Sequence, residues 1–225
     1  EDHEFHRDSA RDLQSKQQTS VMDLTRLLTR TDSSEELLDI CHRLVEFFHS
    51  TPSLRRYVVT HHGVLPMLDV LSAAHATPDG GTMPHSPKVL EAVLKVVNHI
   101  VADDKSLQES LSLVGVLPAV VKFTSPLFPT SVRLQASLFV EQLCTSSQIT
   151  LQMFVACDGV QVLVNLLQPS TEITRAPPAS ALRVSLQQQE QALLRIALSG
   201  IISVFKLKRV TKNEFYRLFM RVGLL

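Results

Sequence analysis

The sequence predicts an all-α protein built as a stack of helical repeats, on three observations. Glycine-centred blocks recur without gaps: Gly63-Val64-Leu65-Pro66-Met67-Leu68, Gly115-Val116-Leu117-Pro118-Ala119-Val120 and Gly159-Val160-Gln161-Val162-Leu163-Val164, with a fourth opening at Gly223-Leu224-Leu225. Apolar residues fall three and four positions apart around each block, the period of one helical face. Hydrophobic residues make up 44%, aromatics only 5%, Trp is absent and Gly numbers 7 in 225 residues, which argues against the many Gly-rich turns of a sandwich or barrel.

The glycines stand 52, 44 and 64 residues apart. The shortest interval falls in the roughly 40–47-residue range of armadillo and HEAT units. The expected architecture is an armadillo/HEAT-like right-handed α-solenoid of about four repeats, the last one truncated. The longer intervals hold insertions at 76–84 and 169–178, rich in helix-breaking Pro, Gly, Ser and Thr.

Taken in order, residues 1–20 are polar and lack an apolar period, and read as a linker or tail. Residues 21–225 form the repeat domain. Each repeat offers an amphipathic helix ahead of its glycine: 36–48, 89–100, 132–143 and about 181–205. Each glycine lies between two helical stretches, where a positive φ or a close backbone approach turns the chain. Pro66 and Pro118 sit in the first turn of the next helix, where a missing N–H costs little. Four residues before the glycines stand Val59, Leu111, Val155 and Phe219, all apolar. A single repeat cannot bury its own face, so stacking must supply the core. Gly200, inside a helical pattern, costs about 1 kcal/mol against Ala, and close packing is expected to offset this.

Other classes are disfavoured. The formal charge is zero, so no global field draws the chain to nucleic acid or an anionic membrane. No apolar run approaches a membrane span. Cys41, Cys144 and Cys157 are odd in number and sparse, and read as reduced intracellular thiols. Cys41 and Cys144 lie among apolar residues on helices and are expected to be buried, not nucleophilic. The chain starts at Glu1 without a signal-peptide pattern and reads as a piece of a longer protein.

Three stretches carry a family resemblance: 151–164, from Leu151 through Asp158-Gly159 to Val164; Asn213-Glu214-Phe215-Tyr216-Arg217-Leu218-Phe219 leading to Gly223; and Thr60-His61-His62-Gly63-Val64-Leu65-Pro66. They resemble, in order and spacing, the C-terminal armadillo-like region of one kinase family. It comprises the fungal septation-initiation and mitotic-exit network kinases and the plant MAP-kinase-kinase-kinase epsilon proteins. The resemblance covers roughly 21–225. One departure is Ser199-Gly200-Ile201-Ile202-Ser203-Val204-Phe205, where the family usually has an Asp-Gly-x-Trp-like segment. The resemblance implies a kinase domain upstream, with ATP and Mg its cofactors. This chain holds no G-x-G-x-x-G loop and no D-F-G, and His42-Arg43-Leu44 lacks the catalytic-loop Asp, so it is not itself the catalyst.

Catalytic and metal-binding residues are expected to be none. His61-His62, His75, His85 and His99 lack Cys or carboxylate neighbours at ligand spacing and read as solvated or capping residues. Two surface features remain. Counting back 17 residues from the first three glycines reaches Glu46, Asn98 and Gln142, polar positions inside otherwise apolar helices. With Lys95 and Ser203 they form a candidate ladder, expected to face water or a ligand, because Asn and Gln can both donate to and accept from an extended backbone. Alternatively, they merely pair with neighbouring loops. Charge is also polarised: residues 1–46 carry 11 acids and 6 bases, while the end holds Lys206, Lys208, Arg209, Lys212, Arg217 and Arg221 against Glu214. Lys212 and Arg217 are the second candidate binding site.

The expected function is a non-catalytic platform that docks proteins or regulates an attached Ser/Thr kinase in cell-division signalling. The resemblance implies partners such as a small GTPase or a spindle-pole scaffold, at a cytoplasmic or spindle-pole location. The alternative is a stand-alone adaptor solenoid without a kinase. The chain is also expected to end inside a repeat, leaving Phe215, Leu218, Phe219, Leu224 and Leu225 with incomplete cover.

Overall fold

The computed structural model describes residues 2–74, 85–178 and 180–207, together with 213, 216, 217 and 220. The described residues form helices and no strand: α1 Asp2–Leu27, α2 Ser34–Ser50, α3 Ser53–Thr60, α4 Leu65–Ala73, α5 Pro87–Val101, α6 Lys105–Val114, α7 Val116–Val121, α8 Thr130–Thr145, α9 Gln148–Ala156, α10 Gly159–Leu166, α11 Thr171–Arg175 and α12 Ala181–Phe205. A 3-10 turn, Lys122–Thr124, extends α7. The insertion around Pro78, Lys212 and the Gly223-Leu224-Leu225 end lie outside the described residues.

Helix starts follow their cap residues. Ser33, Ser86, Asp104, Ser147 and Ser180 each accept a hydrogen bond at the side chain from the backbone N–H three residues on, at 3.1–3.4 Å. Each satisfies a donor that the first helical turn would otherwise leave open. The polar opening stretch is not set apart from regular structure: it forms the first turns of α1. Residues 11–20 are mostly exposed, whereas Val21, Leu24 and Leu28 at the end of this segment enter the core.

The three glycine turns are made in two ways. Only Gly115 is left-handed, with φ 94°, and it caps α6. At the other two turns the positive φ sits one residue earlier, on His62 (60°) and Asp158 (57°). Gly63 and Gly159 are needed for space instead. A Cβ on Gly63 would lie 2.8 Å from Val58 Cγ1, and one on Gly159 would lie 2.4 Å from the Phe154 carbonyl oxygen. The expectation that each glycine either bends or approaches closely therefore divides between them.

Helices α2, α5, α8 and α12 form a row, each packed most extensively on the next. α6 contacts both α3 and α9, α4 contacts α7, and α10 contacts the 3-10 turn, α9 and α12. One continuous apolar core runs from Val21 to Val204, with a satellite of Leu166, Leu193, Ile196 and Ala197 between α10 and α12. Gly200 earns its place here: a Cβ would stand 2.5 Å from Leu163 Cδ2 and 3.5 Å from Cys144 Sγ, so α12 meets α10 and α8 backbone-close.

The 169–178 insertion is ordered by polar contacts. Glu172 accepts hydrogen bonds from both the backbone N–H and the hydroxyl of Thr130, each at 2.7 Å. Arg133, fully buried on α8, donates to the Thr124, Asn165 and Gln168 carbonyls and to Glu190 of α12. Glu190 also accepts from the Ser170 backbone N–H at 2.9 Å.

Candidate interaction surface

The row of helices places the candidate ladder. Glu46 lies exposed on α2, Lys95 exposed on α5, Asn98 buried on α5, Gln142 half-buried on α8 and Ser203 half-buried on α12. The structure joins Asn98 and Gln142 directly: Gln142 Nε2 donates to Asn98 Oδ1 at 3.2 Å. Asn98 Nδ2 donates in turn to the Gln135 carbonyl at 2.9 Å. The middle of the ladder is thus closed on itself, and Asn98 does not wait for water or ligand. The cause is helix spacing: α5 and α8 approach closely enough for two amides at matched positions to meet, and a buried amide without a partner would cost about 1–3 kcal/mol. Ser203 Oγ likewise donates to its own helix, at the Ser199 carbonyl, 3.1 Å away.

Open space lies at the junctions of the row. A cleft of about 380 Å³ between α2 and α5 is lined by Leu38, Val45 and Ala92 together with Lys88, Glu91 and Lys95. A second, of about 260 Å³, joins Asp103 and Lys105 to Gln142 and Ser146. A third, of about 530 Å³, holds Ser146, Ser147, Ser203 and Lys206. The second and third share Thr145 and Ser146, so the polar surface continues from Gln142 to Lys206. Lys206 was missed as a ladder residue, although the same count of 17 back from Gly223 lands on it. The row therefore reads Glu46, Asn98, Gln142, Lys206, from an acid at one end to a base at the other. Arg217 is exposed.

The titratable groups nearby are tuned by burial. His99 is pulled below the usual histidine value by burial, and then by His49, Lys95 and Arg55. Its ring sits 5.0 Å from that of His49 across α5 and α2. Burial opposes ionisation of Asp104, yet its carboxyl is held below the usual range by the Leu107 backbone N–H and the Arg56 guanidinium. Burial pushes the thiols of Cys41 and Cys144 up to about 12, so both remain protonated at neutral pH. Cys157 is exposed. His61 caps α3, its Nδ1 2.9 Å from the Tyr57 carbonyl oxygen. Among the described residues no three His, Cys, Asp or Glu side chains gather into a metal-binding group. Nor is any single helix long and apolar enough to cross a membrane.

Comparison with known proteins supplies the class. The chain is 34% identical over 211 residues, 91% of its length, to MAP3K epsilon protein kinase 1 of Arabidopsis thaliana. It is 31% identical over 217 residues, 96% of its length, to cytokinesis protein sepH of Emericella nidulans. It is 30% identical over 112 residues, half its length, to cell division control protein 7 of Schizosaccharomyces pombe. These matches establish the resemblance drawn from the sequence: the chain is homologous to the C-terminal parts of this kinase family. It spans only 14% of the length of the first and second of these relatives and 10% of the third. No family model matches the chain, and no solved structure does.

Proposed function

We propose that this chain is a non-catalytic interaction and regulatory platform in a Ser/Thr protein kinase of cytokinesis and septation signalling, built as an armadillo/HEAT-like right-handed solenoid. One observation carries the reading: nine-tenths of the chain matches a short part of long kinase-family proteins, while the chain itself has no phosphate-cradling loop, metal-binding Asp or positioned base. A kinase domain elsewhere in the whole protein would use ATP and Mg. The row α2–α5–α8–α12 supports the solenoid reading, because helices matched in the repeat pack in series. Its partner is a protein, with a small GTPase or a spindle-pole scaffold as the candidates. The contact runs along Glu46, Lys95, Asn98, Gln142 and Ser203 or at the basic end with Lys212 and Arg217.

The test removes residues 21–225 from the full-length protein. Phosphorylation of a generic substrate should persist, while recruitment to the division apparatus is lost. Loss of both, with the kinase domain still folded, would make the region part of the catalytic unit. Retention of both would end the platform reading.

A further inference from the structure

Four basic side chains from three helices converge where α2, α3 and α5 meet. His49, near the end of α2, stands against His99 of α5, with ring centroids 5.0 Å apart. Lys95 precedes His99 by one turn on the same face of α5. Arg55 of α3 reaches the end of α5, where Nη1 donates to the Ala102 carbonyl at 2.8 Å. Its Nε is buried and has no hydrogen-bond partner. The charges of His49, Lys95 and Arg55 all act on His99, and all disfavour its imidazolium, as burial does.

Nothing in the described chain neutralises this group. None of the four belongs to an ion pair among the described residues. The acids close by are placed elsewhere or stay apart. Asp104 is held by Arg56 at 3.0 Å, Asp103 lines the Gln142 cleft beside Lys105, and Glu46 and Glu91 form no ion pair. A run of cations along one helix is usually a solvated face. Here the four come from three helices, and His99 and Arg55 are half-buried, where charges are screened less than at an open surface. Lys95 and His49 are exposed, so the cluster opens to solvent on one side.

We propose that His49, Arg55, Lys95 and His99 bind the phosphate of a phosphoserine or phosphothreonine in a partner protein, whose neighbouring residues lie in the cleft between α2 and α5. The proposal rests on the platform reading above and names the chemistry that one of its contacts recognises. A phosphate monoester brings a charge of about −1.5 to −2 and three acceptor oxygens. A single carboxylate brings one charge and two oxygens, and so leaves more of the four cations unmatched. A bound dianion also favours the imidazolium of His99 that the chain alone disfavours. The cleft argues for a peptide as the source. Lys95 lines it together with Leu38, Val45 and Ala92, so an apolar surface continues directly from the cluster. Free phosphate or a lipid headgroup has nothing apolar to lay there, whereas a side chain beside the phosphorylated residue does. Lys88 lines the same cleft two turns before Lys95, roughly 10 Å away along α5. About three residues of extended peptide span that distance.

The experiment selects from peptides with a fixed phosphoserine or phosphothreonine and randomised flanks on the immobilised 225-residue chain. Retained peptides are then titrated by fluorescence anisotropy beside their unphosphorylated and Glu-substituted forms. Peptides with an apolar residue close to the phosphate should be retained, and loss of the phosphate should weaken binding about tenfold or more. Lys95→Gln and His49→Gln, both at exposed positions, should each weaken it about tenfold with an unchanged far-ultraviolet spectrum and Tm. Arg30→Gln, an exposed cation between α1 and α2, should not. The imidazole resonances of His49 and His99 should move when the phosphopeptide is added. A Glu peptide that binds as tightly as the phosphopeptide overturns the proposal, as does a loss shared by Arg30→Gln or binding untouched by both Lys95→Gln and His49→Gln. Binding of inorganic phosphate or of phosphatidylinositol-phosphate vesicles without any retained phosphopeptide overturns it as well. If no phosphopeptide is retained while removal of residues 21–225 still abolishes recruitment, this site is wrong and the platform reading stands.

Discussion

Arg133 on α8 and Glu190 on α12 form an ion pair at 3.4 Å, with their side chains 0% and 10% exposed. Around it the Arg133 guanidinium reaches three backbone carbonyls, and Glu190 accepts from Ser170. Burial lowers the Arg133 pKa, while Glu190 and Glu172 oppose that shift. This group of contacts ties the last row helix and the Pro-rich insertion to the repeat before it.

Removing one partner leaves the other charge buried and unpaired. Arg133→Met should therefore destabilise the chain by about 3–5 kcal/mol, and Glu190→Leu by a similar amount. The double substitution should cost less than the sum, because each single change already breaks the same contact. Urea unfolding of the four proteins measures the coupling. Strict additivity would mean that the pair does not act as a unit.

The glycine turns give an ordered pair of effects. Gly115→Ala meets no atom within 4 Å but must hold φ 94°, a cost of about 1–2 kcal/mol. Gly159→Ala puts a methyl group 2.4 Å from a backbone oxygen that no side-chain rotation can clear. It should be the more destabilising of the two in thermal unfolding. The reverse order would show that the α9–α10 turn yields more easily than the backbone at Gly115.

Much of this fold is legible in the sequence, and the exceptions share a cause. The four long helices, the glycine turns and the close approach at Gly200 follow from periodicity and from residues whose chemistry is local. The pairing of Asn98 with Gln142 does not, because their 44-residue separation in sequence says nothing about the gap between α5 and α8. Arg133 is hidden for the same reason: on its own helix it reads as a surface cation, and only contacts from 124, 165, 168 and 190 make it a core residue. The helical path of residues 11–20 was missed because a polar stretch has no apolar period to read.

His99 should give the stability a pH dependence of defined sign. Its folded pKa lies below the unfolded value of 6.5, because burial and the neighbouring His49, Lys95 and Arg55 disfavour the imidazolium. The unfolded chain then binds more protons, and stability falls as the pH drops through 6.5 and levels off once the folded state also protonates. His99→Gln should flatten the unfolding free energy across that window. A profile unchanged by the substitution would place the titration elsewhere.

The ladder separates stability from binding, provided the right residues are changed. Asn98→Ala removes the groups that pair with Gln135 and Gln142, so it should cost about 1–2 kcal/mol of stability whether or not a partner binds there. It is therefore a poor probe of recognition by itself. Lys206 and Lys95 are exposed and lie in clefts of the same surface. Lys206→Glu and Lys95→Glu should leave Tm within about 1 °C, because exposed charges away from a pair contribute little to folding. If an extended partner lies along the row with its acidic end at Lys206, Lys206→Glu should slow association about tenfold, and added salt should shrink the difference. Arg217→Glu, read in the same titration of a captured partner against the full-length protein, tests the basic end independently. An effect confined to Arg217 moves the contact off the row. An effect confined to Lys206 and Lys95, both of which line clefts of the row, keeps it there.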